Sequence, residues 1–477
     1  MRYIYKNDVI TILNYSGRMM IFVGIMFLIP IIVDLIYLEF NLINYIIPAI
    51  ISIGLGFIFD KGLDNHKRSM NLKHAMVISA FIWLWACFIG AISVTLITHL
   101  DFASSIFENM SALTGTGITM FSDVESLPYS VLFLRSLEQW VGGLGVIILV
   151  IGVMSKPGTS SSKLYKSEAR EDRLEPSIKT TLQKTFLIYI IYTIIGIVLY
   201  IIAGMPLFDA INATFTSIAT GGMSIKNANI GYYNNKYIYL VTIFIMIVGA
   251  TSFTTHYRLI KTRGKSLLQD VQFQLLIVLI IMGCILLALC TGLNSINSLF
   301  TVTSAITTTG AAVEPAQVFE SWPAFALLII LTYMLIGGSS GSTVGSIKLI
   351  RVIHFFKGAY AHVKEIMSPE GTVIPIKVSG KAVPEKVIIE SGAYIALFMV
   401  FIFVGWAIFI LYGYDPYYSI FEIISIQGNN GLDLGIINPQ DHFAIKLTST
   451  ILMWIGRLEI FPVLVLIKSF CEVLKLR

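Results

Sequence analysis

Long apolar runs alternate with shorter mixed ones along this chain. Runs of about 20 apolar residues, enough to cross a bilayer as a helix, fall at 19–38, 42–60, 76–98, 128–154, 184–203, 237–256, 271–291, 323–353, 388–412 and 443–467. The pattern predicts ten transmembrane helices. From the third run on, the rhythm becomes regular. Semi-polar segments of about 25–35 residues separate the third from the fourth run, the fifth from the sixth, the seventh from the eighth and the ninth from the tenth. Each is too weakly apolar to span a membrane and too apolar for an ordinary loop.

The four segments share a motif. They read SALTGTG (111–117), TSIATGG (216–222), SAITTTG (304–310) and SIQGNNG (425–431). Each begins with Ser or Thr and places Gly six residues later, at Gly117, Gly222, Gly310 and Gly431. Phe stands ten residues before the Gly in three of them, and IFE recurs at 106–108 and 420–422. This is an internal repeat of span, half-helix, Gly loop and span. Irregular backbone at membrane depth is tolerated only where it lines a wet cavity or is buried in protein. Gly reaches the φ/ψ values that turn successive carbonyls the same way. Four such loops around one axis make rings of carbonyl oxygens that replace the hydration shell of a bare monovalent cation. Each half-helix then points its partly negative C-terminal end at the cavity. A single loop of this kind is ordinarily a turn or a small-residue packing face; four copies, each between two spans, are read as a pore.

Charge adds orientation. With both termini placed inside, 28 of the 33 basic residues fall on inner segments, leaving Arg135, Lys226, Lys236, Lys446 and Arg457 for the outer side and the membrane. This positive-inside bias accounts for the net charge of +5 without nucleic acid as a partner. Fifteen of the 28 acids lie outside or within the membrane, so the outer mouth is electronegative and concentrates cations. The chain is 56% hydrophobic and 13% charged, against about 25% charged in soluble domains. Its four cysteines form no CxxC pair and read as small buried hydrophobes. No metal-spaced His/Cys cluster and no Ser/His/Asp arrangement stands out, so no enzyme active site and no cofactor are expected.

At the four loops the chain resembles the TrkH/KtrB/HKT superfamily of potassium transporters. RSLEQWVGGLGV (135–146), ATSFTTHYR (250–258), IGGSSGSTVGSIKLIR (336–351) and WIGRLEIFPV (454–463) resemble the segments that close its four repeats. The two extra N-terminal spans make it similar to TrkH-type members. The resemblance implies an all-α polytopic membrane protein with two N-terminal transmembrane helices (1–70), then four pseudo-symmetric helix–pore-loop–helix repeats around one pore (71–160, 161–264, 265–365, 366–477). It implies a homodimer in the cell membrane of a prokaryote and K⁺ uptake. Rb⁺ and, weakly, Na⁺ are further ions. A cytoplasmic TrkA-like nucleotide-binding regulatory subunit is the expected partner. Within the family, Gly at all four filter positions accompanies K⁺ selectivity, and Ser at the first accompanies Na⁺ transport in some plant members.

The expected filter comprises Thr114, Gly115, Thr116 and Gly117; Thr220, Gly221 and Gly222; Thr307, Thr308, Thr309 and Gly310; and Asn429, Asn430 and Gly431. The fourth loop departs from the others: it lacks Thr, and Asp433 stands where the first two loops have Thr119 and Ser224. The Gly-rich break in the eighth run, Gly337, Gly338, Ser339, Ser340, Gly341, Ser342, Thr343 and Gly345, lacks the GKS/T of a phosphate-binding loop. In the family this loop is an intramembrane gate, and a Gly/Ser backbone has little packing to lock one arrangement. Arg457 costs about 2.5–3.5 kcal/mol at mid-membrane. The resemblance places it on the pore wall beneath the filter, where it favours onward exit of an ion. Burial against carbonyls or against Glu108 or Glu422 is the other reading. Glu108 and Glu422 either tune the field at the filter or anchor the half-helices. His256 reads as an interface or capping residue. The basic inner loops 155–184 and 345–390 suit a cytoplasmic partner or anionic lipid. A K⁺-conducting pore is the first functional reading. A symporter coupling K⁺ to H⁺ or Na⁺, with Asp34 as a proton relay, is the second. A non-transporting sensor is the third.

Overall fold

A computed structural model describes residues 6–62, 70–145, 178–262, 267–369, 372 and 374–474. They are mostly helical; a two-residue hairpin, Lys377–Val378 with Lys381–Ala382, is the one sheet among them. An N-terminal pair, Lys6–Met26 continued by Pro30–Tyr37, and Leu42–Lys61, crosses at Gly17 and Gly56. A Cβ on either glycine would meet the other's carbonyl oxygen at 2.6–2.7 Å, so only glycine permits this close crossing. Asp34 accepts the Asn41 amide at 3.0 Å and closes the turn between the two spans. Glu39, just past the same helix, accepts the amides of Tyr129 and Ser130 at the start of the next unit's second long helix.

Four units of one design follow. Each has an outer helix: Leu72–Thr98, Ile178–Ile202, Val271–Thr291 and Glu385–Leu411. Each then has a short helix: Phe102–Thr114, Leu207–Ile218, Ser295–Ile306 and Pro416–Gly428. At 12 or 13 residues these reach about 20 Å, well short of the ~30 Å hydrocarbon core. Asp101, Asn294 and Asp415 start three of them, each side chain accepting an amide of the first turn.

The last helices of the second, third and fourth units depart from the straight spans that the hydropathy predicts. Among the described residues, six helices are long and apolar enough to cross a membrane, or up to eight if each bent pair is one span. The second unit's inner helix stops at Ala250 and resumes at Phe253 after a bend of 103°. The fourth unit's bends by 114° between Arg457 and Phe461. In the third unit, Ala324–Ile336 and Leu349–Ile366 flank twelve non-helical residues. The first unit's inner helix is described as Tyr129–Leu144, and the rest of that expected span lies outside the described residues. The third unit's break is the Gly-rich one expected from composition; the other two are hidden because apolar residues flank them. The structural causes are local: Glu459 and Ile460 both adopt left-handed backbone, at φ 58° and 65°. At the other bend, His256 Nε2 lies 2.9 Å from the Val248 carbonyl.

Candidate functional site: a ring of four glycine loops

The short helices end identically. Numbering each motif from its Ser or Thr, the amide of residue six bonds the carbonyl of residue one in all four loops: Thr116 to Ser111, Gly221 to Thr216, Thr309 to Ser304 and Asn430 to Ser425, at 2.8–3.0 Å. The amide of residue five bonds the carbonyl of residue two at 3.1–3.2 Å. This is the Schellman cap, and it demands left-handed backbone at residue five. Gly115 supplies it without strain at φ 71°; Thr220, Thr308 and Asn429 are forced to φ 50–51°. β-Branched Thr in this region is a genuine outlier. The motif glycine follows at φ 96°, 68°, 71° and 91°, while residue six between them has no positive φ. Alternation of this kind is how successive carbonyls are turned toward one side.

The four loops meet one another in a closed cycle. A Cβ on Gly117 would lie 2.4 Å from the Gly221 oxygen, on Gly222 1.9 Å from the Thr309 oxygen, on Gly310 2.1 Å from the Asn430 oxygen, and on Gly431 1.9 Å from the Thr116 oxygen. Each glycine thus faces the residue-six carbonyl of the next loop, and the fourth returns to the first. Any side chain here would collide with backbone. Cross-links fasten the ring: Asn429 Nδ2 donates to Thr116 Oγ1 at 3.1 Å, and Asn430 Nδ2 to the Ala305 carbonyl at 2.7 Å. The Asn residues that set the fourth loop apart therefore tie it to both neighbours.

Glu108 and Glu422 stood in the sequence as possible anchors of the half-helices; Arg135 and Gln139 went unread. Glu108 is buried and receives Arg135 Nε at 2.7 Å, the Met120 amide at 2.7 Å and the Thr119 hydroxyl at 3.0 Å. Arg135 also donates to the Ser224 carbonyl at 2.9 Å, joining the first two loops. Gln139, one turn on, donates to the Gly221 carbonyl at 2.7 Å and accepts the Met223 amide at 3.1 Å. Glu422, the counterpart of Glu108, accepts the Leu434 amide at 2.7 Å. Both glutamates thus tie a short helix to the strand of chain leaving its loop. The signal available was a polar face, Arg135 and Gln139 at i,i+4, within an apolar run.

Residues 337–348 lie against the inner end of the ring. Thr343 Oγ1 donates to the Gly249 carbonyl at 2.9 Å and lies 3.1 Å from Thr220 Oγ1. The Gly345 amide donates to Thr308 Oγ1 at 2.9 Å, and Ser346 Oγ to the Gly428 carbonyl at 3.1 Å. The segment thus touches the second, third and fourth loops, two of them through the strained threonines. It is largely buried and densely bonded, where its composition had suggested little to hold it. Arg457 is the last residue of its helix. Nη1 donates to the Thr343 carbonyl at 2.5 Å and Nη2 to the Gly142 and Gly143 carbonyls at 2.7 and 3.0 Å. It therefore joins this segment to the first unit. Glu108, offered by the sequence as a partner for Arg457, belongs to Arg135.

Comparison with known proteins agrees with this architecture. The family model described as TrkH, cation transport protein, matches residues 41–276 and 316–472. An uncharacterised cation transporter of Methanocaldococcus jannaschii is 38% identical over 97% of this chain and 96% of its own. The Trk system potassium uptake protein TrkG of Escherichia coli is 30% identical over 92% of this chain and 94% of its own. The crystal structure of the potassium transporter TrkH from Vibrio parahaemolyticus superposes with a TM-score of 0.83 at 26% identity, covering 96% of this chain and 98% of that one. The chain is a multi-pass membrane protein and belongs to the TrkH family of cation transport proteins.

Proposed function

We propose that this protein takes up K⁺ across the cytoplasmic membrane of a prokaryote through a K⁺-selective, channel-like pore. The observation that carries the reading is the closed cycle of four glycines, each against the next loop's carbonyl. A ring closed by backbone has a fixed bore, and carbonyls lining it substitute for water around a cation. Residues 114–117, 220–222, 307–310 and 429–431 form the filter. Residues 337–345 form the gate, held shut across the inner end by Thr343, Gly345 and Arg457. Movement of that segment opens the path. The relatives named for potassium uptake support the choice of ion.

On the same reading both termini are cytoplasmic, the protein is a homodimer, and a TrkA-like nucleotide-binding subunit docks on the basic inner face. Of its two expected docking loops, 345–390 includes the helix Leu349–Ile366 that continues the gate segment. Most of 155–184 lies outside the described residues. The test is Rb⁺ uptake into liposomes holding the purified chain, against trapped K⁺ and then trapped Na⁺, with and without a pH gradient. Uptake that stops at electrochemical balance and ignores the pH gradient is expected. Accumulation beyond that balance, driven by a proton or Na⁺ gradient, contradicts the pore in favour of a symporter.

A further inference from the structure

The first and fourth loops are backed by the same glutamate in different company. Glu108 holds three donors: the Thr119 hydroxyl, the Met120 amide and Arg135 Nε. Glu422 keeps the equivalent of the second, the Leu434 amide on Oε1. Its Oε2 is buried with no hydrogen-bond partner. Two residues past the ring glycine, where the first loop has Thr119, the fourth has Asp433, with Oδ1 accepting the Gly435 amide at 3.1 Å. The counterpart of Arg135 follows from the helix register. Gly142 and Gly456 stand at the same point: a Cβ on them would meet the Leu113 and Gln427 carbonyls at 1.8 and 1.9 Å. Trp140 and Trp454 precede each by two. Seven residues before each glycine stand Arg135 and Ser449. Ser449 Oγ is also buried with no partner.

From the first quarter to the fourth, a hydroxyl donor and a guanidinium are lost; among the carboxylates Asp433 is gained, while the buried Glu138, four residues before Gly142, gives way to Leu452. The basic side chains of the fourth quarter's own inner helix are spent elsewhere. Lys446 pairs with Asp101 at 3.2 Å and donates to the Pro439 carbonyl at 2.6 Å, and Arg457 bonds the carbonyls of Thr343, Gly142 and Gly143. A buried carboxylate stripped of its cation is strongly destabilising unless another positive charge or a proton arrives.

We propose that a hard, oxygen-seeking metal cation stands behind the fourth loop in the place that the Arg135 guanidinium fills behind the first. Glu422 Oε2 and Ser449 Oγ are its protein ligands, and Asp433 adds charge. Carboxylate and hydroxyl oxygens select alkali and alkaline-earth ions over softer metals. The site is made of side chains, apart from the loop carbonyls, and its occupancy does not depend on which ion the ring conducts.

The test is anomalous scattering from crystals of the full chain soaked in Rb⁺, Tl⁺ or Ca²⁺. A peak beside Glu422 Oε2, distinct from any peak within the ring, is expected. It should vanish in Glu422→Gln and in the double variant Asp433→Thr/Ser449→Arg, which copies the first quarter. The soak that gives the peak tells a monovalent from a divalent ion. In solution, titrating the same cation into the wild type should raise Tm, and the double variant should lose that increment. No peak in any soak, with a Tm that moves with pH but not with cation, would overturn the proposal and leave a protonated Glu422 in its place. Equal cation dependence in the wild type and the double variant would overturn it too.

Discussion

The two ends of the proposed pore are built from different kinds of contact. At the ring, glycine backbone meets carbonyl from loop to loop, with no side chain able to intervene. Beneath it, one glycine packs in the same way, Gly345 against the Gly428 carbonyl, but residues 337–348 are otherwise held by individual hydrogen bonds from hydroxyls, amides and one guanidinium. Backbone packed on backbone has no alternative partner and no slack. Separate polar bonds can be exchanged one at a time, each worth about 0.5–1.5 kcal/mol net, more to a charged group. Selectivity needs the first property and gating the second. The threonines at left-handed φ, Thr220 and Thr308, sit at the junction: their backbone belongs to the ring and their hydroxyls to the segment below. Strain is thereby placed where a moving part touches a fixed one.

The comparison is broken most severely by removing what fixes the ring from behind. Arg135→Met leaves Glu108 buried without its cation, and about 3–5 kcal/mol of stability should go. Thermal unfolding in detergent should show it, and Glu108→Gln in the same chain should restore most of the loss. Next is the lower end. Arg457→Met releases Thr343 from Gly142 and Gly143. Single-channel recording should find a higher open probability with K⁺-over-Na⁺ preference unchanged; a drop in preference would mean that Arg457 shapes the ring. Thr343→Val removes the hydroxyl's three contacts, to Gly249, Ile218 and Thr220. A smaller rise in open probability and a stability loss of about 1–2 kcal/mol should follow.

The smallest effect belongs to the loops that carry Asp123 and Asn227. Asn227 Nδ2 donates to Asp123 Oδ1 at 2.7 Å and holds its carboxyl below the usual carboxylate range. A depressed folded value stabilises above the unfolded one, about pH 3.9, and the contribution is lost as pH falls through the folded value. Asn227→Ala should therefore leave the acid limb of a Tm–pH curve slightly shallower and touch transport little.

Much of this was legible in the chain. The four motifs, their spacing and the flanking apolar runs were enough to read four equivalent loops, because glycine at a fixed place is a backbone requirement written directly in sequence. The departures in the fourth loop were visible too, though Asn429 and Asn430 read as irregular until the structure showed them bonded across to Thr116 and Ala305. What was hidden lay in contacts between distant residues. Nothing local pairs Arg135 with Glu108, 27 residues away, or Arg457 with Gly142, 315 residues away. The bends after Ala250 and Arg457 were hidden for another reason: hydropathy counts apolar residues and is blind to the φ of Glu459 and Ile460.

The central claim is that four glycines close one selective ring, and Rb⁺ uptake by the four single variants tests it most directly. Gly117→Ala, Gly222→Ala, Gly310→Ala and Gly431→Ala each put a methyl within 2.4 Å of a neighbouring carbonyl at a left-handed position. If the ring sets the passage, all four should lose uptake or its K⁺-over-Na⁺ competition to a similar degree while still folding. A variant that keeps both uptake and preference at the wild-type level would remove its loop from the ring and contradict the account.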